Sequence, residues 1–252
     1  MKKKNSKTIL AALGTLAAFA LWTFLIRCVD VQPIGPNGSR VGFAAINGAF
    51  HALTGVHWAL YTLTDWLGLV PIGIALGFAV LGLVQLIRRK SLLKVDRDLL
   101  ILGGFYIVVL AAYLLFETVV INFRPVLIDG KLEASYPSST TMLALCILPT
   151  AMMQLKTRIR GDAVRRAILG ILAAFTFFMV VGRLISGVHW LTDIIGGVLL
   201  SVGLVIVICV RYEKARKVEK EFSCLCIMKQ KVREGICNQK IKSSSGDSDR
   251  TI

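Results

Sequence analysis

The chain has 252 residues, 55% of them hydrophobic, and it carries a formal net charge of +15. Its mean hydropathy is +0.69. The apolar residues collect into runs of about 20 residues, the length that a helix needs to cross hydrocarbon. This pattern argues against one or two soluble domains and predicts a single membrane domain with polar ends. The placement of the charge between these runs argues against nucleic-acid binding and is typical of a topology signal.

The distribution of positive charge predicts which span ends are cytoplasmic. Most of the 30 Lys and Arg residues lie at the N-terminus, in residues 88–97, in residues 156–166 and after residue 210. The intervening segments carry Arg27, Arg40, Arg124, Lys131 and Arg183. By the positive-inside rule we expect a multi-pass plasma-membrane protein with both termini in the cytoplasm.

We expect an all-α bundle of about six transmembrane helices. A basic N-terminus, residues 1–8, precedes a membrane domain at residues 9–210. Its spans are expected at residues 9–26, 67–87, 99–121, 137–155, 167–185 and 190–210. Residues 27–66 form a long outer segment, and residues 41–64 within it are expected to be a helix along the membrane interface. Residues 211–252, with Cys224 and Cys226, are expected to be a basic, disordered cytoplasmic tail.

Four polar clusters fall at span ends, and the charge-derived topology places all four at the outer face. They are Arg124-Pro125 after the third span, Pro137-Ser138-Ser139-Thr140 at the start of the fourth, Arg183 at the end of the fifth, and His189 with Asp193 at the start of the sixth. Polar residues are costly near a bilayer, so such clusters indicate a functional site.

The residue types in these clusters suit a phosphate group. Arginine presents forked donors that match phosphate oxygens, and the start of a helix offers free N–H groups. His189 and Asp193 are four residues apart and would share one helix face. In that arrangement Asp193 would orient the ring, and His189 would attack phosphorus directly.

At these residues the chain resembles the type 2 phosphatidic acid phosphatase superfamily, whose soluble relatives include vanadium haloperoxidases. The family motifs are Lys-x6-Arg-Pro, Pro-Ser-Gly-His and Ser-Arg-x5-His-x3-Asp. The chain has the end of the first at Arg124-Pro125, the start of the second at Pro137-Ser138, and the third from Arg183 to His189 and Asp193, with Gly182 in place of Ser.

The resemblance implies roles for six residues. His189 would be the nucleophile that forms a phosphohistidine, and Asp193 its orienting partner. The implied phosphate-binding residues are Arg124, Ser138, Ser139 and Arg183. The implied activity is hydrolysis of a lipid phosphomonoester or pyrophosphate in the membrane, with no metal or other cofactor and no nucleic-acid partner. The particular lipid and the oligomeric state stay open.

Besides Gly182, three positions depart from the family motifs. Glu117 stands where the family has Lys, Ser139 where it has Gly, and Thr140 where it has the His that protonates the leaving group. General acid catalysis is typically worth about 10²–10⁴-fold. The alternative function is therefore a catalytically impaired relative that binds lipid phosphates without turnover. A small transporter or channel is a further alternative, which would place charges near span midplanes rather than at span ends.

Two residues are candidates to replace the missing acid. His57 lies in Gly55-Val-His-Trp58, which echoes Gly187-Val-His-Trp190, and falls on the outer side. Glu117 lies near the outer end of the third span, where burial would favour its protonated form. Glu117 is also interpreted as an ion-pair partner of Arg124.

Overall fold

The protein is described by a computed structural model that covers residues 2–216, with side chains from residue 6 onward. Its helices are α1 (Lys2–Cys28), α2 (Ala44–Thr54), α3 (Trp58–Leu67), α4 (Leu69–Arg89), α5 (Arg97–Thr118), α6 (Ser139–Arg158), α7 (Asp162–Ile185) and α8 (Leu191–Arg216). These residues contain isolated β-bridges but no strand, and the all-α prediction is confirmed. Most of the predicted tail, including Cys224 and Cys226, lies outside the described residues.

Residues 1–210 form one compact unit, and residues 211–252 are a second, of which only the end of α8 is described. Within residues 2–216, five helical runs are long and apolar enough to cross a membrane. They are Ser6–Cys28, Trp58–Arg89, Arg97–Thr118, Asp162–Ile185 and Leu191–Arg216. Large apolar side chains such as Leu76, Ile107 and Phe177 are exposed on their surfaces. Such surfaces suit contact with lipid rather than with water.

The predicted fourth span forms α6, which is not among these five runs. α6 lies among α4, α5 and α7 and buries residues along its whole length. A helix covered by other helices does not need the apolarity of a lipid-facing one. Its buried polar groups find partners, because Thr150 Oγ1 donates to the Cys146 carbonyl at 2.7 Å and Gln154 Nε2 donates to the Asp98 carbonyl at 3.1 Å.

Two apolar clusters hold α6 in place. The larger one joins α5, α6 and α8 through Leu102, Phe105, Val109, Met142, Cys146, Leu200 and Ile208. The smaller one joins α6 to α7 through Ala144, Leu148 and Met179. Helices in a bilayer associate mainly through such close packing, so these clusters hold the start of α6 against α7 and α8.

The predicted outer segment, residues 27–66, contains α2 and most of α3. Only Gly68 separates α3 from α4, so Trp58–Arg89 is one helical run of 32 residues. The second spanning run therefore begins at Trp58 rather than at residue 67. Its polar Thr64 fits because Thr64 Oγ1 donates to the Leu60 carbonyl at 2.8 Å within the same helix.

The segment before α3 is anchored on the first turn of α8. Asn47 of α2 is buried, donates to Thr192 Oγ1 at 2.9 Å and accepts from the Thr192 N–H at 3.2 Å. In α1, Trp22 Nε1 donates to the Thr192 carbonyl at 3.1 Å. Two separate elements thus position the start of α8, which carries Asp193.

Candidate functional site

His189 lies in the short connection between α7 and α8 and is 3% exposed. Its Nδ1 lies 3.1 Å from both the carbonyl oxygen and the Oγ of Ser135. Its Nε2 is buried and has no hydrogen-bond partner among the described residues. One ring nitrogen is therefore held by the protein, while the other is left for a reacting group.

Asp193 does not share a helix face with His189, so that part of the prediction is wrong. α8 begins at Leu191, and His189 precedes the helix. The Asp193 side chain turns back instead, and Oδ2 accepts from the Trp190 N–H at 3.0 Å, as the third residue of a helix does in a capping box. Oδ2 also accepts from Ser135 Oγ in a short hydrogen bond, and Oδ1 accepts from Asn122 Nδ2 at 3.2 Å.

A hairpin-like connection between α5 and α6 supplies the partners of both residues. Asp129 and Gly130 turn the chain with positive φ angles of 49° and 73°, a geometry that glycine tolerates. The N–H of Ser135 donates to the Asn122 carbonyl at 2.9 Å. This pairing holds Ser135 and Asn122 side by side above the start of α8.

Arg183 is almost fully buried near the end of α7, with 1% exposed. Its Nη1 lies 3.4 Å from Thr64 Oγ1 and 3.5 Å from Asp65 Oδ1, both on α3. Its guanidinium carbon lies 5.0 Å from the centroid of the Tyr61 ring, a cation–π distance. Its Nε is buried without a hydrogen-bond partner within residues 2–216. These long contacts leave much of the guanidinium's donor capacity unused.

Arg124 pairs with Glu133 and not with Glu117. Its Nε lies 3.1 Å from Glu133 Oε2, while its Nη1 is buried and makes no hydrogen bond within the described part of the chain. The hairpin explains this choice, because the Arg124 N–H donates to the Glu133 carbonyl at 3.0 Å and sets the two residues opposite each other. The interpretation of Glu117 as the partner of Arg124 is therefore wrong.

The two arginines act on His189 electrostatically. Burial lowers the pKa of the His189 imidazole well below its usual range, and the positive charges of Arg124 and Arg183 lower it further. Both effects favour the neutral imidazole, in which one ring nitrogen carries no hydrogen. The structure thus brings Arg124, Arg183, His189 and Asp193 together at one end of the bundle.

The start of α6 contributes unequally to this site. Ser139 lines a small recess together with Ser135, Glu117 and His189. Ser138 is fully buried behind it, and its N–H donates to the Asp193 carbonyl at 3.2 Å. Thr140 points elsewhere, since its Cγ2 would lie 3.4 Å from a Cβ built at Gly68. The position of the family's acid is therefore turned towards the junction of α3 and α4.

The backbone of His57 contacts the loop that carries His189, but the His57 side chain does not. The His57 N–H donates to the Ser186 carbonyl at 3.0 Å, so the two echoing segments pack against each other. The exposed His57 ring, however, contacts the Thr54 carbonyl through Nε2 at 2.9 Å. Of the two replacement acids, Glu117 is thus the one that lines a recess with His189. Glu117 is nevertheless exposed, so the predicted burial of this residue is wrong.

A large apolar groove adjoins the recess. It has a volume of about 1100 Å³ and runs between α4 and α5 over α6. Its polar end is formed by Asp65, Ser139 and Thr140, and Ser139 and Tyr113 line both the groove and the recess. In the described residues no group of three or more His, Cys, Asp and Glu side chains could hold a metal ion.

The fold defines a polytopic helical membrane protein in which a histidine and two arginines meet at one end of the bundle. The family model described as "PAP2 superfamily" matches residues 116–217, the segment that carries all six predicted site residues. This match confirms the predicted resemblance to the type 2 phosphatidic acid phosphatases over that segment.

Comparison with other known proteins adds one structure. The chain is similar to a crystal structure described as the first transmembrane PAP2 type phosphatidylglycerolphosphate phosphatase from Bacillus subtilis. The identity is 20%, the match covers 81% of this chain and 96% of that chain, and the TM-score is 0.47. The search of the curated proteins finds no match.

Sequence reasoning did not identify several residues that build the site. Ser135 and Asn122 contact the His189–Asp193 pair, and Tyr61, Thr64 and Asp65 contact Arg183. Asn122 directly follows the predicted third span, so its polarity at a span end was an available indication. The α3 residues carried no such indication, because their proximity to Arg183 depends on how α3 packs on α7.

Proposed function

We propose that the chain hydrolyses a phosphomonoester or pyrophosphate of a membrane lipid through a phosphohistidine at His189. The observation that carries this proposal is a neutral, buried imidazole whose Nε2 has no hydrogen-bond partner within residues 2–216, next to two arginine charges. Arginine side chains with guanidinium nitrogens that lack hydrogen-bond partners favour binding of a phosphate dianion. The family match over residues 116–217 supports the same reaction class.

In the first step Nε2 of His189 attacks phosphorus. A bond forms between Nε2 and phosphorus as the bond from phosphorus to the leaving oxygen breaks. Arg124 and Arg183 bind the non-bridging oxygens, where charge accumulates in the transition state. Because Nε2 is buried, the side chains that cover it move when phosphate enters. Water then cleaves the nitrogen–phosphorus bond and releases inorganic phosphate.

The leaving oxygen takes a proton from Glu117 in this proposal. Glu117 lines the recess with His189 and Ser139, whereas Thr140 has no ionisable group and His57 bonds to the Thr54 carbonyl. In this proposal Glu117 gives a proton to the leaving oxygen and takes one back from the attacking water, so the acid is regenerated. A pyrophosphate leaving group has a low pKa and needs less of this help.

The apolar groove supports a lipid rather than a soluble phosphate ester as substrate. It begins at Ser139 and Thr140 beside the recess and is lined along α4 and α5 by leucine, isoleucine and glycine. A hydrocarbon chain in this groove would be buried while its phosphate lies next to His189. The placement of Lys and Arg supports a plasma-membrane orientation with this site outside and both termini inside.

Binding without turnover is the second candidate function. Glu117 stands at the recess in place of a family lysine, and Thr140, in place of the family's acid, has no ionisable group. Both changes weaken catalysis more directly than they weaken the two arginines as ligands.

Phosphate release by purified protein in lipid–detergent micelles tests the proposal. The substrates are phosphatidate, phosphatidylglycerophosphate and a polyprenyl pyrophosphate, each with wild type, His189→Ala and the control His57→Ala. We expect release by wild type and His57→Ala and none by His189→Ala. Acid-labile phosphate trapped on wild type and absent from His189→Ala would report the intermediate. Binding of these lipids without release by wild type would establish the second candidate instead.

A further inference from the structure

Ser135 stands between the two residues that a phosphohistidine mechanism couples. In the described residues no hydrogen bond joins His189 to Asp193 directly, yet both contact Ser135. Ser135 is 2% exposed, so these contacts are shielded from water. We propose that Ser135 is a positioning residue through which Asp193 holds and polarises His189. This inference rests on the proposed function for its catalytic consequence, but the link itself is a property of the resting protein.

The donors and acceptors at Ser135 fix where each proton lies. Its hydroxyl has one hydrogen, and Asp193 Oδ2, as a carboxylate oxygen, can only accept it. The Oγ lone pairs and the Ser135 carbonyl oxygen are then both acceptors that face His189 Nδ1 at 3.1 Å. Nδ1 must therefore carry the hydrogen, and Nε2 keeps its lone pair.

The other contacts of Asp193 do not involve His189, so the Ser135 hydroxyl is its link to the imidazole ring. Trp190 N–H and Asn122 Nδ2 occupy other lone pairs of the carboxylate, and both are held by the local backbone or by the hairpin. Hydrogen bonds in a buried chain polarise one another. The order is Asp193 Oδ2, then the Ser135 hydroxyl, then the Nδ1–H of His189.

The link matters most after phosphoryl transfer. When Nε2 bonds to phosphorus, the ring becomes cationic and its Nδ1–H becomes a stronger donor. The Ser135 oxygens accept that stronger bond, and the Asp193 charge stabilises the cation across the hydroxyl. Partners that orient a metal-bound imidazole typically contribute about 10–100-fold to activity, and we expect a factor of that order for Ser135.

A double-substitution comparison tests the link, using Ser135→Ala, Asp193→Asn and the combination. Ser201→Ala is the matched control, because Ser201 is also fully buried and donates to a carbonyl, that of Gly197 at 2.7 Å. We expect kcat to fall about 10–100-fold in each single variant with KM nearly unchanged. The combination should fall no further, since one route is broken twice. A kcat of the double variant reduced by the product of the two single reductions would overturn the proposal.

The chemical shift of the His189 Nδ1–H, measured by nuclear magnetic resonance without substrate, reports on this hydrogen bond directly. A variant that merely disturbs packing elsewhere would not change it. The chain has 3 histidines, so the His189 Nδ1–H resonance can be assigned by comparison with His189→Ala. We expect Ser135→Ala and Asp193→Asn to move it upfield alike, and Ser201→Ala to leave it in place. If Asp193→Asn alone moves it, Asp193 contacts the ring directly and the proposal is wrong.

Failure of the proposed function and failure of the Ser135 link give different results. A wild type that releases no phosphate refutes the proposed function, while the resonance still decides whether Ser135 links Asp193 to His189. If Ser135→Ala does not fold, two other variants make the same comparison. Ser135→Thr keeps the hydroxyl, and Ser135→Val has the shape of threonine without the hydroxyl. Rescue of kcat and of the resonance by threonine but not by valine is then expected.

Discussion

Arg183 has the largest fully buried side chain in the described residues. Its contacts to Thr64 Oγ1 and Asp65 Oδ1, at 3.4 Å and 3.5 Å, are long for hydrogen bonds. A buried charge with such weak partners is costly to the fold unless a ligand satisfies it. In the proposed function a phosphate would be that ligand, and the desolvation that destabilises the empty protein would strengthen the bound state.

Replacement of Arg183 by lysine should therefore weaken ligand binding more than it weakens the fold. Lysine keeps the charge and loses the planar fork that matches two phosphate oxygens. We expect the affinity for orthovanadate to fall about tenfold or more, measured as the ligand-induced rise in melting temperature. Arg165→Lys is the control, because Arg165 pairs with Asp162 at the exposed start of α7. Equal vanadate affinity in wild type and Arg183→Lys would remove Arg183 from the site.

His189 makes the fold sensitive to acid. Its pKa in the folded protein lies well below 6.5, the value for an unperturbed histidine. Below pH 6.5 the unfolded chain thus binds a proton that the folded chain does not. Stability is then lost as pH falls, by about 1.4 kcal/mol per unit. Melting temperatures from pH 8 downwards should fall more steeply for wild type than for His189→Gln. Parallel curves would mean that His189 is not held neutral.

Glu117 can be tested as the acid by varying the leaving group. Glu117→Gln removes the proton donor and should lower kcat about 10²-fold or more for an alkyl phosphate. The loss should be much smaller for a pyrophosphate, whose leaving group needs little protonation. His57→Gln should change neither rate, because the His57 ring bonds to the Thr54 carbonyl. Equal losses with both substrates would assign Glu117 a role in binding instead.

At the scale of elements, the connection before α3 packs directly on the connection before α8. A Cβ added at Gly187 would lie 1.9 Å from the Gly55 carbonyl oxygen, and Gly187 has a φ of +71°. Both the close approach and the positive φ require glycine. The loop that carries His189 is thereby held against the start of α3.

Gly187→Ala should consequently destabilise the protein by more than about 1 kcal/mol and lower activity by displacing His189. The measurements are the melting temperature and phosphate release at saturating substrate. Gly73→Ala in α4 is the control, since a Cβ there would have no neighbour within 4 Å. An unchanged Gly187→Ala would show that the two connections are free to separate.

The elements that sequence predicted best are those whose surroundings are simple. Runs such as α5 and α7 face lipid, so their apolarity alone locates them. The start of α8 was misjudged because Asp193 caps the helix at the Trp190 N–H and leaves His189 outside it. The extent of α3 was missed because its polar Thr64 is satisfied within the helix. Periodicity shows which residues suit a helix, whereas these two outcomes depend on tertiary contacts.

At the scale of the whole molecule, charge and motif spacing predicted that distant span ends would meet. The structure brings Arg124, Arg183 and His189 close enough for their charges to interact. It could not be predicted which residue would stand beside each, because Ser135 and Tyr61 reach the site only through the hairpin and through packing of α3 on α7. The long groove likewise arises from the spacing of α4 and α5 and from no motif.

The groove can be blocked without disturbing the packing around it. Gly104 of α5 lines it, and a Cβ there would have no neighbour within 4 Å. Gly104→Trp should lower kcat/KM about tenfold or more for long-chain lipid phosphates, because the indole would fill space that the hydrocarbon chain needs. Hydrolysis of a short soluble ester should not change. Gly73→Trp, outside the groove, is the control, and equal effects on both substrates would disconnect the groove from the lipid tail.

The continuous helical run Trp58–Arg89 extends from Arg183 to the far end of the groove. Asp65, beside Arg183, and Leu86, at the far end of the groove, lie on the same helix. At 1.5 Å per residue they are about 32 Å apart along the axis, close to the thickness of the hydrocarbon core of about 30 Å. If the proposed lipid lies in the groove, the backbone hydrogen bonds of this helix fix the distance between the residues at its phosphate and those at the end of its tail. Tilting this one helix in a thinner or thicker bilayer moves the wall that holds Arg183.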